Sequence, residues 1–136
     1  MNDAIPEGFE SVALGSGFSS LFGPVYRHHT ESRLGFRVAP QHLNPVQVCH
    51  GGAMATFADM QIAVVAPGLG TQAGHTPTIH LDMDYLAVAP LGSWVEMAVT
   101  RLRETRNLIF TQALITADGE PVARSSGIYR NRPAAG

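Results

Sequence analysis

The chain has 136 residues, 45% of them hydrophobic and 15% charged, with a formal net charge of −2. That balance describes a globular protein able to bury roughly two thirds of its unfolded surface, and it excludes a disordered chain. Its basic residues are all arginine, but the near-neutral balance excludes general binding to nucleic acid. The single cysteine, Cys49, rules out an internal disulfide and fits a reducing compartment. The opening MNDAIPEGFE lacks the basic end and apolar core of a signal peptide. No apolar run approaches the ~20 residues that a membrane helix needs. The sequence thus predicts one soluble, cytoplasmic domain over residues 1–136.

In chain order, residues 1–20 are rich in Gly and Ser and predict an irregular or short helical lead. GPVYRHHT (23–30) and RLGFRVAP (33–40) alternate as two strands joined by a tight turn near Glu31 and Ser32. QHLNPVQVCH is a loop, since Pro45 and its polar neighbours break any period. Residues 51–66 predict one long helix stopped by Pro67-Gly68, and a flexible segment follows to residue 75. Four strands come next, at 76–87, 93–103, 107–117 and 121–130. Their turns are Pro90–Gly92, Glu104–Arg106 and Asp118-Gly119, the last a strong hairpin signal. The predicted fold is α+β: an antiparallel sheet of about six strands curled around one apolar central helix.

The chemistry concentrates in NPVQVCHGGAMATFADM. A glycine pair, Gly51-Gly52, entering a helix leaves backbone N–H groups open to a ligand oxygen at the positive end of the helix dipole. Asp59 sits further along that helix among apolar neighbours, where a carboxylate is costly unless it is hydrogen-bonded, protonated or functional. The two features outline an electrophile-polarising group together with a base or nucleophile. Eight positions separate Gly51 from Asp59, about 12 Å along a helix. A carbonyl and its attacking water span only ~3 Å, so one helix cannot serve both ends of one substrate. Two copies packing this helix antiparallel would bring Gly51 of one beside Asp59 of the other.

Several features together resemble the hotdog superfamily, and within it the small acyl-CoA thioesterases of the phenylacetate-pathway type. They are Asn44 six positions before His50, HGG at 50–52, AxATxAD ending at Asp59, the strand HLDMDYL, the Pro90–Gly92 turn and TRNLIF before ADGEPVA. The resemblance covers roughly residues 23–130. It implies a homodimer with two sites at its interface, often paired into a homotetramer. It also implies hydrolysis of a small aromatic or short- to medium-chain acyl-CoA, with coenzyme A entering as part of the substrate and no separate cofactor.

In that scheme Gly51 N–H, beside Gly52, holds the thioester oxygen, and Asn44 places the thioester or the water. Asp59 acts as general base or as nucleophile, and the sequence leaves both routes open. His80 stands where some relatives carry a hydroxyl that assists the nucleophile. His50 either joins the site or braces the loop before the helix. Met54, Phe57, Met60 and Tyr85 are the expected apolar lining. Arg101, Arg103 and Arg106 gather at one hairpin beside Asn107, with Arg124, Arg130 and Arg132 on the last strand. The resemblance puts the nucleotide of CoA at that hairpin, which selects Arg103, Arg106 and Asn107 as phosphate contacts, a task that suits guanidinium forks.

Cys49 reads as a small buried residue and Gln61 as facing away from Asp59. His28, His29, His42 and His75 form no metal-ligand pattern, so no metal is expected. Two rival functions remain. A hotdog enoyl-CoA hydratase needs Asp, then Asn-Pro, then His two places on; here those flanking positions hold His42 and Gln47. A non-catalytic acyl-CoA-binding module would have no use for Asp59.

Overall fold

The computed structural model describes residues 4–65 and 76–131. Seven strands form one antiparallel sheet in the order β1-β2-β3-β5-β6-β7-β4. They are β1 (Phe9–Ser11), β2 (Tyr26–His28), β3 (Arg33–Arg37), β4 (Thr78–Tyr85), β5 (Trp94–Glu104), β6 (Leu108–Ala117) and β7 (Glu120–Arg130). The curled sheet around one helical rod agrees with the sequence reading, with one strand more than the six expected. The addition is β1, which pairs Phe9 with His28 inside the lead that reads as irregular. Three residues are too few to show a period of two.

β2 is shorter than expected because His28 ends it. The His28 Nδ1 accepts hydrogen bonds from the N–H groups of Thr30 (3.2 Å) and Glu31 (3.0 Å), which turns the chain into β3. β3 stops at Arg37, and Pro40–His42 forms a turn of 3-10 helix.

The central rod departs from the single helix expected over 51–66. A short helix, α1 (Phe18–Phe22), comes earlier in the chain; the rod comprises α2 (Gly51–Ala58), a 3-10 turn (Asp59–Gln61) and α3 (Ile62–Val65), so the helix tightens where its one acid stands. Such mid-helix tightening often marks a functional hinge or a sequence under strain. The stop at Pro67-Gly68, the segment 67–75, His75 and Arg132 lie outside the described residues.

The 3.6-residue period divides the rod into two stripes. Met54, Phe57, Gln61 and Val64 are buried against the sheet. Phe57 meets Phe36 edge-on at 4.6 Å between ring centroids and stacks on Phe22 at 6.4 Å. The second stripe, Gly52, Thr56, Asp59 and Ala63, borders a cavity instead. Arginines cap the far end of the rod: Arg27 donates to the carbonyls of Ala63 (3.2 Å) and Val64 (3.4 Å), and Arg101 to Val65 (3.5 Å). Cations there complement the negative end of the helix dipole.

At the sheet margin β4 pairs, among the described residues, only with β7, and its other edge has no strand beside it. Ile79, Tyr85, Leu86 and Val88 are exposed along and just beyond it. An open strand edge of this length is a template for pairing with another strand. No helix among the described residues is long and apolar enough to cross a membrane.

Candidate active site

Asp59 is held by one of its oxygens. Its Oδ1 accepts a hydrogen bond from Thr78 Oγ1 at 2.8 Å and another from Tyr129 OH at 3.2 Å. The Tyr129 hydroxyl also lies 3.2 Å from the Asp59 carbonyl, so it is shared between side chain and backbone. No donor among the described residues engages Oδ2. Among the described residues one carboxylate oxygen is therefore clamped and the other has no donor, a geometry suited to meeting water or an electrophile.

β7 explains how Tyr129 comes to stand there. Its inward row reads Ala123, Ser125, Gly127, Tyr129, all buried. A Cβ at Gly127 would come within 2.6 Å of Tyr129 Cε2 and 2.9 Å of Thr111 Oγ1, so only glycine leaves room for that ring. Ser125 and Thr111 hold Gln61, which donates to Ser125 Oγ (2.9 Å) and accepts from Thr111 Oγ1 (2.8 Å). Gln61 thus faces the sheet, away from the site, and steadies the 3-10 turn that carries Asp59. Burial raises the Tyr129 phenol far above its ordinary value, and the nearby Asp59 charge and hydrogen bond raise it further. Tyr129 remains a neutral donor throughout the working range.

The cavity beside Asp59 has a volume of about 550 Å³. Of the lining residues expected from the sequence, Met60 borders it. Phe57 and Met54 do not: both are in the core cluster, on the stripe that faces the sheet. Tyr85 stands at the start of the rod, where its hydroxyl donates to the Gly51 carbonyl at 2.6 Å. Burial, then the neighbouring Cys49, raises the Tyr85 phenol above its ordinary value.

At the N-terminus of α2, His50 is the capping residue, and its Nδ1 accepts from the Gly52 N–H at 2.8 Å. The Gly51 N–H makes no hydrogen bond among the described residues and has no partner within a helix. Asn44 braces the preceding loop: its Oδ1 accepts from Val46 N–H and Val48 N–H, both at 3.1 Å. Its amide NH2 points to no acceptor among the described residues. Burial pushes the Cys49 thiol up to about 11, which leaves it protonated and poorly nucleophilic.

His80 does not reach Asp59. Its Nε2 lies 3.4 Å from Asp82 Oδ2 at the exposed edge of β4. The hydroxyl that does reach Asp59 is that of Thr78, and the strand shifts register between Thr78 and His80. Sequence reading missed Thr78 for that reason. It missed Tyr129 because an inward tyrosine on a strand looks like core. The alternation of small residues before Tyr129 was the available signal.

Arg103, Arg106 and Asn107 are exposed at the β5–β6 hairpin, and neither arginine has an ion-pair partner among the described residues. Arg101 is committed to Glu104 at 3.0 Å. Through its bond to the Val65 carbonyl, Arg101 also places this hairpin at the end of the rod beyond Asp59. Arg124 pairs with Asp84 at 2.9 Å. Among the described residues no three His, Cys, Asp or Glu side chains converge as metal ligands.

Comparison with known proteins adds an independent line. A model of the thioesterase superfamily matches residues 46–123. A Pseudomonas aeruginosa protein described provisionally as an esterase is 25% identical over 128 residues, covering 92% of this chain and 96% of its own. A hypothetical thioesterase from Streptococcus pneumoniae, solved with coenzyme A, is 18% identical with a TM-score of 0.73 over 88% of this chain and 94% of that one. A Streptococcus mutans protein bound to acetyl CoA is 17% identical, TM-score 0.68, over 98% and 95%. A variant of the phenylacetic acid degradation protein PaaI from Thermus thermophilus is 20% identical, TM-score 0.65, over 90% and 92%. At these identities the solved structures establish a shared fold.

Proposed function

We propose that this chain, which belongs to the thioesterase superfamily and is a thioester hydrolase of the hotdog fold, acts on acyl-CoA to release free acid and coenzyme A. The observation supporting this reading is the half-clamped carboxylate of Asp59 on the wall of a largely apolar cavity. Thr78 and Tyr129 orient Oδ1 and leave Oδ2 to take a proton from water as that water attacks the thioester carbonyl. Direct attack by Oδ2, giving an anhydride that water then opens, uses the same geometry. A single turnover in ¹⁸O water separates the routes, since only the anhydride route can leave label in Asp59.

Charge developing on the carbonyl oxygen needs a donor, and the open Gly51 N–H at a helix N-terminus suits that task. It lies eight residues before Asp59, about 12 Å along the rod, so it serves a different site from its own Asp59. The edge of β4, unpaired among the described residues and carrying the exposed Ile79 and Tyr85, supports the remedy. Two copies joined there about a two-fold axis carry their helices antiparallel, and each site then draws Gly51 from one copy and Asp59 from the other. Pairing of such dimers gives a tetramer. Asn44, whose NH2 has no acceptor among the described residues, holds the thioester or water, while Arg103, Arg106 and Asn107 meet the phosphates of coenzyme A. The reaction requires no metal or cofactor and takes place in the cytoplasm.

The hydratase alternative finds no support at His42. That side chain is buried, accepts from Ala39 N–H at 2.9 Å through Nδ1, and places Nε2 at 2.6 Å from the Phe22 carbonyl. Those partners fix the neutral tautomer with Nε2–H as donor and leave no nitrogen for a substrate. Free-thiol release across a panel of acyl-CoAs, with crotonyl-CoA hydration followed in parallel, tests the proposal. Hydration without thiol release would overturn it.

A further inference from the structure

We infer that the N-terminal strap, Val12–Ser19, selects the acyl group, and that the cavity takes neutral apolar acyl chains while rejecting those that end in a carboxylate. This inference rests on the acyl-CoA thioesterase reading and deepens it. The cavity has three walls. The rod supplies Thr56, Asp59, Met60 and Ala63; the sheet supplies Leu34 and Leu81, with Val25 just before β2; the strap closes the outside with Val12, Leu14 and Phe18. Among the described residues no arginine lines it, and the only charged one is Asp59. A carboxylate at the far end of an acyl chain would be buried beside apolar groups with no cation to pair, a heavy cost.

The strap is secured at both ends. Val12 N–H donates to the Val25 carbonyl at 2.9 Å. At the other end, α1 (Phe18–Phe22) buries Phe22 against Phe36 at 4.9 Å between ring centroids. Phe18 lies one turn before Phe22, on the same side of this short helix, and so stands over the cavity. Gly17 (φ 92°) and Gly23 (φ 104°) bracket α1 in backbone conformations that other residues rarely adopt. Phe18 is 69% exposed, so an incoming acyl chain would complete its packing. A cavity of about 550 Å³ is far larger than an acetyl group needs. Each methylene it receives should therefore raise specificity about three- to four-fold, up to the length at which the cavity is filled.

Two arms test this. In the first, thiol release is compared for acetyl-, hexanoyl-, octanoyl- and adipoyl-CoA, where adipoyl matches hexanoyl in length but ends in a carboxylate. Hexanoyl-CoA should exceed adipoyl-CoA in kcat/KM by at least ~10²-fold. Phe18→Ala, which opens the roof, and Ala63→Leu, which fills the floor, should each lower the octanoyl-to-acetyl ratio about ten-fold. The second arm needs no turnover: calorimetric binding to Asp59→Asn should be at least about ten-fold tighter for octanoyl-CoA than for acetyl- or adipoyl-CoA, and adding Phe18→Ala should lower the preference for octanoyl- over acetyl-CoA about ten-fold. Absence of thiol release from every substrate would sink the thioesterase reading alone, and the binding arm would still decide the inference. Equal affinity for the three ligands, or a loss in Phe18→Ala that is the same for all of them, would overturn it. Phe18 is exposed enough to be replaced without unfolding should Ala63→Leu prove too bulky.

Discussion

Removing the Tyr129 hydroxyl while keeping its ring isolates the clamp on Asp59. In Tyr129→Phe the buried ring still fills its place above Gly127, so no cavity opens. The bonds lost run to Asp59 Oδ1 and to its carbonyl, both at 3.2 Å. A hydrogen bond to a charged group contributes about 1.5–3 kcal/mol, and this long, shared one belongs at the lower end. Spent on holding the carboxylate in its reactive orientation, ~1.5 kcal/mol amounts to about a ten-fold fall in kcat. KM should stay near wild type, because the hydroxyl touches the acid and not the substrate. Thr78→Val removes the shorter 2.8 Å bond at similar shape and should cost about ten- to thirty-fold. Steady-state thiol release measures both variants, with circular dichroism and a melting curve to confirm the fold. If both variants turn over at the wild-type rate, the clamp is incidental and Asp59 is not oriented by these hydroxyls.

Arg103→Ala and Arg106→Ala should each reduce the preference for acyl-CoA over the matching acyl-pantetheine about ten-fold, through KM; equal losses on both substrates would assign these arginines to folding or assembly. His42 is held below the ordinary imidazole value of 6.5, first by burial, with its bond to Phe22 partly opposing. The unfolded chain therefore takes up a proton below pH 6.5 that the native chain refuses, and stability present above 6.5 is lost as pH falls, by at most about 1.4 kcal/mol per unit from this group. Urea unfolding between pH 7.5 and 5 should show that slope in wild type and a flatter one in His42→Gln, and equal slopes would contradict it. For the shared site, Asp59→Asn co-refolded with Gly51→Pro should recover about a quarter of wild-type activity, because half the dimers are mixed and each has one intact site. Gly51→Pro must first be shown to fold and pair, since proline at the first turn removes only the N–H; if it does and mixing restores nothing, both groups act within one copy.

The helix period alone separates the cavity stripe of Gly52, Thr56 and Asp59 from the core stripe of Met54, Phe57 and Gln61. Applied strictly, it would have kept Phe57 out of the lining, where a large apolar residue close to Asp59 in sequence looks attractive. The paired strands β5 to β7 were legible because each is long, alternates and ends at a turn signal such as Asp118-Gly119, where Asp118 takes φ 47°. β1 escaped notice because its three residues owe their strand form to pairing with β2. Thr78 was hidden by a register shift that no local pattern announces. Tyr129 was hidden by distance: 70 positions of chain separate it from the acid it holds. Long-range partners of this kind follow from the sheet order, which pattern reading leaves open.

Replacing Asp59 with Asn keeps the shape of the side chain and removes its capacity to accept a proton or to attack. Thiol release from a good acyl-CoA substrate should fall at least ~10²-fold in kcat with little change in KM, while calorimetry shows the substrate still bound. Turnover within a few-fold of wild type in a folded Asp59→Asn protein would contradict the account at its centre.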